Sequence, residues 1–143
     1  MLAFGHVYAA WLFSQDFFRE KLYHQLGLAS RDDVVKFTQS YFLNSDANDL
    51  IAMANTWMNG NISNNELYNG DFDRSLGAIK SRAIVMPGDT DQYFRVPDNA
   101  YEVERMPNAQ FRPIPSKWGH GAGFGIDADD NKFIDEALNE LLG

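Results

Sequence analysis

Arg82-Ala83-Ile84-Val85-Met86-Pro87, followed by Gly88-Asp89-Thr90-Asp91-Gln92, decides the fold. A short, continuously apolar run rich in β-branched side chains predicts a strand covered on both faces, as in a parallel sheet. The polar turn ends that strand, and a helix is predicted from about Asp98 to Arg105. Pro107-Asn108-Ala109 punctuates before a second strand, Gln110 to Ile114. Pro113 has no N–H to give to a ladder, which places this strand at a sheet edge. A last helix, Ala128 to Leu142, aligns Phe133, Ile134, Ala137, Leu138 and Leu141 on one face. The order β-α-β-α predicts parallel strands joined by a right-handed crossover. Two such strands make a poor independent unit, and the first reads as a strand with neighbours on both sides. The fold class is therefore α/β, and the chain reads as a piece of a larger α/β domain.

Upstream of this tail the pattern is helical. Val7, Trp11, Phe18, Leu22 and Leu26 recur at intervals of three, four or seven, with Gly27 as a left-handed stop. Ser30 and Asp33 form a variant capping box for a second helix, whose expected buried stripe is Val34, Phe37, Thr38, Tyr41 and Phe42. A third helix is predicted from Ser45 or Asp46 through Leu50, Ile51, Ala54, Trp57 and Met58 to Asn59-Gly60. Ordinary helix packing is the expected role of these aromatics. The asparagine-rich stretch from Asn61 to Asp73 is a loop, and Arg74 to Ile79 a short helical turn. Residues 1–70 thus form a helical segment and 71–143 a β-α-β-α segment.

Composition narrows the function. With 143 residues, 45% of them apolar and 14% aromatic, the chain can build a substantial core. Twenty acidic against 12 basic side chains give a formal charge of −8, which opposes phosphate backbones and anionic membranes. Neither a nucleic acid nor a membrane is an expected partner. No apolar run reaches spanning length and no signal-peptide pattern opens the chain, so the expected location is cytoplasmic. The absence of cysteine removes disulfides, thiolate metal sites and a cysteine nucleophile.

In open α/β sheets, working residues gather in the loops beyond the carboxyl ends of the strands. The loop after Met86 carries Asp89 and Asp91; the loop Pro115 to Gly125 carries His120. Adjacent strands would set an aspartate against a histidine. A buried carboxylate bonded to one imidazole nitrogen fixes the tautomer and stabilises the imidazolium, leaving the other nitrogen free to take a proton from a nucleophile. Other signals carry less. Asp127-Ala128-Asp129-Asp130-Asn131 opens like a calcium loop, but Lys132 stands where glycine is required and Leu138 where the bidentate glutamate belongs. These acids are read as helix N-terminal charges. Asp89-Thr90-Asp91 lacks a third carboxylate for magnesium, and His6 and His24 lack partners at metal-binding spacing. The glycines at 119, 121, 123 and 125 do not match a dinucleotide fingerprint. No metal or cofactor is expected.

Asp46-Ala47-Asn48-Asp49-Leu50, Pro87-Gly88-Asp89-Thr90-Asp91-Gln92-Tyr93-Phe94 and Ile114-Pro115-Ser116-Lys117-Trp118-Gly119-His120 together carry a family resemblance over nearly the whole chain. The sequence resembles the carboxy-terminal part of α/β-hydrolase-fold enzymes, in particular the homoserine O-acetyltransferase-like branch. The resemblance implies a helical lid followed by the last two parallel strands and their helices. It implies Asp91, rather than Asp89, as the triad acid and His120 as the base. In this fold the chain order is serine, acid, histidine. No G-x-S-x-G occurs here, so the nucleophile is expected upstream of Met1, in a longer enzyme. The implied activity is acyl transfer, with small-molecule acyl donor and acceptor, acetyl-CoA being one such donor, and with a homodimer through the lid helices. Gly121 follows His120 where that branch typically has an aspartate for the substrate amine, so an esterase-like hydrolase fits as well. The remaining alternative is a catalytically inactive, truncated interaction module.

Overall fold

The computed structural model describes residues 1–143. Helices α1 (Leu2–Leu12), α2 (Gln15–Arg19), α3 (Arg31–Tyr41) and α4 (Ala47–Asn59) fill the first part of the chain. A single 3₁₀ turn, Leu22–Leu26, separates α2 from α3. Then follow α5 (Phe72–Gly77), β1 (Ala83–Val85), α6 (Val96–Val103), β2 (Ala109–Phe111), a 3₁₀ turn at Gly119–Gly123 and α7 (Ala128–Leu142). No helix is long and apolar enough to cross a membrane.

The first predicted helical segment is broken twice, for local reasons. Phe13 is extended, and Ser14 caps α2 by accepting the Phe17 N–H at 2.9 Å. A hydroxyl that bonds the backbone three residues on competes with continuation of the helix. Lys21 then adopts a left-handed conformation (φ 58°), and Gly27 (φ 74°) stops the 3₁₀ turn as the sequence predicts. Ser30 caps α3 by accepting the Asp33 N–H at 3.2 Å, while its own proton goes to the Asp33 carboxylate at 2.8 Å. α1 crosses α3 closely because Gly5 has no side chain; a Cβ there would lie 2.5 Å from the Gln39 Cα. The Thr38 hydroxyl closes the crossing, donating to the Gly5 carbonyl at 2.8 Å.

Leu12, Phe13, Phe17, Tyr23, Val34 and Trp118 make one buried cluster. Phe13 and Phe17 stack at 4.0 Å, and Trp118, only 2% exposed, meets Phe17 at 5.3 Å. The helical part thus shares its core with the loop that carries His120. On α3 Val34 and Thr38 are buried, as is Phe42 at its C-cap, whereas Phe37 and Tyr41, predicted with them, are exposed. α4 is capped by Asp46, one of the two expected starts, yet none of its residues is buried. The packing expected of Ile51, Trp57 and Met58 is not realised, because no element of this chain covers that face. Trp57, 59% exposed, stacks on Tyr93 at 5.5 Å and meets Phe94 at 6.3 Å.

β1 and β2 pair in parallel, Ala83 with Ala109, Ile84 with Gln110 and Val85 with Phe111. β1 is half-buried rather than covered on both faces, and it has a strand neighbour on one edge only. β2 ends at Phe111, so Pro113 lies beyond the regular pairing and a single further parallel bridge joins Gly88 to Ile114. α7 has the predicted boundaries and buries Ala137, but Leu138, predicted on its inner face, is exposed. The architecture is α/β, with a small parallel sheet and helices.

Candidate active site

The parallel pairing places the ends of both strands together. Arg112 N–H donates to the Val85 carbonyl at 2.9 Å and Ile114 N–H to that of Pro87 at 2.8 Å. Asp89 N–H then donates to the Ile114 carbonyl at 2.9 Å. The two following loops therefore leave side by side. Asp91 turns back on its own loop, its N–H donating to the Gly88 carbonyl at 3.0 Å and its Oδ1 accepting the Tyr93 N–H at 2.7 Å. That Asx-type turn aims Oδ2 across the gap, where it lies 3.0 Å from His120 Nδ1. Asp89, two residues earlier, is exposed and has no side-chain hydrogen bond.

The second loop is held from behind. Ser14 donates its hydroxyl to the Lys117 carbonyl, and Lys117 pairs with Glu20 at 2.7 Å. Trp118 is buried in the helical core, with its indole N–H on Asp127 at 3.0 Å. Ser116 accepts the Trp118 N–H at 3.1 Å and donates to the Asp130 carboxylate at 2.5 Å. Gly119 is required on two counts. Its φ is +64°, and a Cβ would lie 2.7 Å from the Ser14 nitrogen, a backbone atom that cannot move aside.

The Asp91 side chain is 7% exposed and that of His120 21%. Tyr93 lies 4.6 Å from the imidazole, Phe94 5.4 Å and Phe124 5.8 Å, centroid to centroid. Burial, with Tyr8 and the Asp91 carboxylate beside it, pushes the Tyr93 phenol upward, so it stays protonated across the neutral range. A cavity of about 310 Å³ opens on His120, lined among others by Gly88, Asp91, Phe94, Asn99, Ile114 and Phe124. With Nδ1–H donating to the Asp91 carboxylate, the other ring nitrogen is left without a protein partner. The pair is thus a carboxylate-oriented imidazole facing a partly apolar recess. No serine lines the cavity.

Asp91 and His120 are brought together, and Asp89 is not. His6 and His24 lie apart, His24 bonding the Leu28 carbonyl at 3.0 Å. No group of three or more His, Asp or Glu side chains is arranged to hold a metal. Asp127 caps α7, accepting the N–H groups of Asp129 and Asp130 at 2.9 and 3.1 Å. Asp130 was legible only as a helix N-terminal acid. In the fold it is buried against Ser116, and burial, with Asp127 and Asp129 nearby, raises its carboxyl above the ordinary range. Nothing in the 14-residue spacing of Ser116 and Asp130 could have signalled that contact.

No family model matches the chain. It is 39% identical over 130 residues to an ethyl acetate hydrolase of Pseudomonas veronii, covering 90% of this chain and 37% of that protein. Its fold superposes on an acetylester hydrolase of Corynebacterium glutamicum with a TM-score of 0.90 at 32% identity, over 98% of this chain and 40% of that one. The acetyl esterase MekB gives 0.91 at 36% identity, over 99% of this chain and 41% of that one. The chain spans about two fifths of the length of the proteins it matches. These relatives are ester hydrolases; none is a homoserine acetyltransferase. Over nearly its whole length, this chain has the fold of one part of an ester hydrolase.

Proposed function

We propose that this chain supplies the acid and the base of an ester-hydrolase active site, with Asp91 orienting His120. The observation that carries the reading is the 3.0 Å contact between Asp91 Oδ2 and His120 Nδ1 at the ends of adjacent parallel strands. The nucleophilic serine comes from a segment outside these 143 residues, in keeping with the greater length of the relatives. His120 Nε2 takes the serine proton as Oγ attacks the ester carbonyl. The resulting imidazolium is stabilised by the Asp91 carboxylate and then gives its proton to the departing alkoxide, which leaves as the alcohol. In the second half His120 takes a proton from water, the hydroxide oxygen attacks the acyl-serine, and the carboxylic acid departs as the proton returns to serine.

The substrates are short-chain acyl esters, acetyl esters first among them, by analogy with what the relatives hydrolyse. Water is the acceptor in this reading. It takes the place of the acyl transfer implied by the homoserine acetyltransferase-like resemblance, since Gly121 offers no carboxylate to a substrate amine. The test is a chimaera in which this chain replaces the matching segment of the Pseudomonas veronii ethyl acetate hydrolase. The chimaera is expected to hydrolyse 4-nitrophenyl acetate, and His120→Ala to abolish the burst of nitrophenol. A folded chimaera with full turnover after His120→Ala would overturn the assignment.

A further inference from the structure

We propose that Thr90 is a positioning residue that sets the separation of Asp91 and His120; the inference rests on the hydrolase reading of that pair. The backbone ladder between the two strand ends stops at Asp89, whose N–H meets the Ile114 carbonyl at 2.9 Å. Beyond it, a side chain takes over. Thr90 Oγ1 donates to the Ser116 carbonyl at 2.9 Å and accepts the Gly119 N–H at 3.0 Å. One hydroxyl uses both its donor and its acceptor capacity on the opposite loop. Asp91 is the next residue after Thr90, and His120 the next after Gly119. This bridge therefore lies one residue from each member of the pair.

Each loop is otherwise fixed to something else. The Asp91 turn is closed by Tyr93 within its own loop, and the His120 loop is tied to α7 through Ser116 and to the helical core through Trp118. Past Asp89, the hydrogen bonds between the two loops are those of Thr90 and the Asp91–His120 contact itself. Without the hydroxyl, that contact is the one hydrogen bond left between the loops past Asp89, beside the packing of Tyr93 and Phe94 on the imidazole. Valine keeps the volume of threonine but can neither give nor take a hydrogen bond, and it orphans a half-buried N–H and a carbonyl. A shift of about 1 Å in a catalytic contact lowers turnover by roughly 10²-fold.

The experiment has two arms. In the 143-residue chain, ¹⁵N spectra of the His120 ring report which nitrogen carries the proton in the neutral form. The unmodified chain is expected to show a single Nδ1–H tautomer. Thr90→Val is expected to give a mixture of both tautomers, and Thr90→Ser, which keeps the hydroxyl, to restore the single form. Thr90→Ala, smaller and less disruptive to folding, is expected to match Thr90→Val. In the chimaera, kcat for 4-nitrophenyl acetate is expected to fall about 10²-fold in Thr90→Val with little change in KM. A single Nδ1–H tautomer in folded Val or Ala variants overturns the proposal, as does failure of serine to restore it. An inactive chimaera alongside the expected tautomer change would overturn the hydrolase reading and leave the positioning role intact.

Discussion

Replacing Gly119 by alanine tests how the His120 loop is docked, and its cost can be worked from the backbone. A non-glycine residue at φ +64° carries a conformational penalty of about 1–2 kcal/mol. The new methyl would also sit 2.7 Å from Ser14 N, 2.9 Å from Leu12 O and 3.0 Å from Phe13 C. All three are backbone atoms at the α1–α2 corner, so no rotamer change can relieve the overlap. Overpacking of this kind costs about 1–3 kcal/mol. The sum, about 2–5 kcal/mol, is a large part of the 5–15 kcal/mol typical of a domain. Two control glycines separate the contributions. Gly27 has φ +74° and nothing within 4 Å of its added carbon, so Gly27→Ala should show the conformational penalty alone. Gly123 has open space and no left-handed φ, so Gly123→Ala should be neutral or stabilising by about 0.4–1 kcal/mol, through the unfolded chain. Urea midpoints give the ranking, with Gly119→Ala lowered most, Gly27→Ala next and Gly123→Ala unchanged or raised. Equal midpoints for Gly119→Ala and Gly27→Ala would mean that the corner of α1 and α2 does not press on this loop, and the docking described here would be wrong.

Gly5→Ala sets helix propensity against packing: alanine gains about 1 kcal/mol in a helix interior, but its Cβ would meet the α3 backbone at 2.5 Å. Net destabilisation in thermal melts is expected, and a raised Tm would refute the close α1–α3 crossing. Asp130→Asn keeps an oxygen to accept from Ser116 and removes a carboxyl whose folded-state pKa is raised by burial. Because the native state binds that proton more tightly than the unfolded chain, the stabilisation is complete below the unfolded value near 3.9 and lost as pH rises through the folded one. Asparagine should therefore gain on the native protein as the pH rises above about 4 in urea titrations; a pH-independent difference would contradict this. In the chimaera, Asp91→Asn is expected to lower kcat by about 10⁴-fold while Asp89→Asn leaves it nearly unchanged, and comparable losses would reopen the choice of acid.

What could be read from the sequence follows from the range of the forces involved. Short-range signals were legible: the Ser30 cap, the Gly27 stop and the ends of α7 each depend on residues within one helical turn. The site was partly legible for the same reason. Two strands and the rule that loops gather beyond their carboxyl ends set an aspartate of the first loop against His120, and the family resemblance chose Asp91 over Asp89. Contacts across the fold were not. Trp118 reads as one aromatic in a glycine-rich loop, yet it packs on Phe17, a partner 101 positions earlier. Ser14 looked like the interior of a helix, and only its bond to the Lys117 carbonyl gives a tertiary reason for the break there. Periodicity misjudged α4 for a different reason. An apolar stripe records that a face is covered, not by what, and this chain contains no element that covers it.

That uncovered face and the half-buried β1 share one physical origin. Ile51, Met53, Trp57 and Met58 are exposed on α4, and β1 has a neighbour on one edge only. Apolar groups left in water forfeit about 25 cal/mol for each Å² that could be covered, and an open strand edge leaves its N–H and C=O groups to water or to another chain. The Asp91–His120 pair has no such deficit, since the helical core, α7 and the bridge between the two loops hold it from three sides. The tightly held Asp91–His120 contact thus lies next to surfaces that no element of this chain covers. Thr90 is where these facts meet, because its hydroxyl fixes the pair without any help from what lies across the cavity.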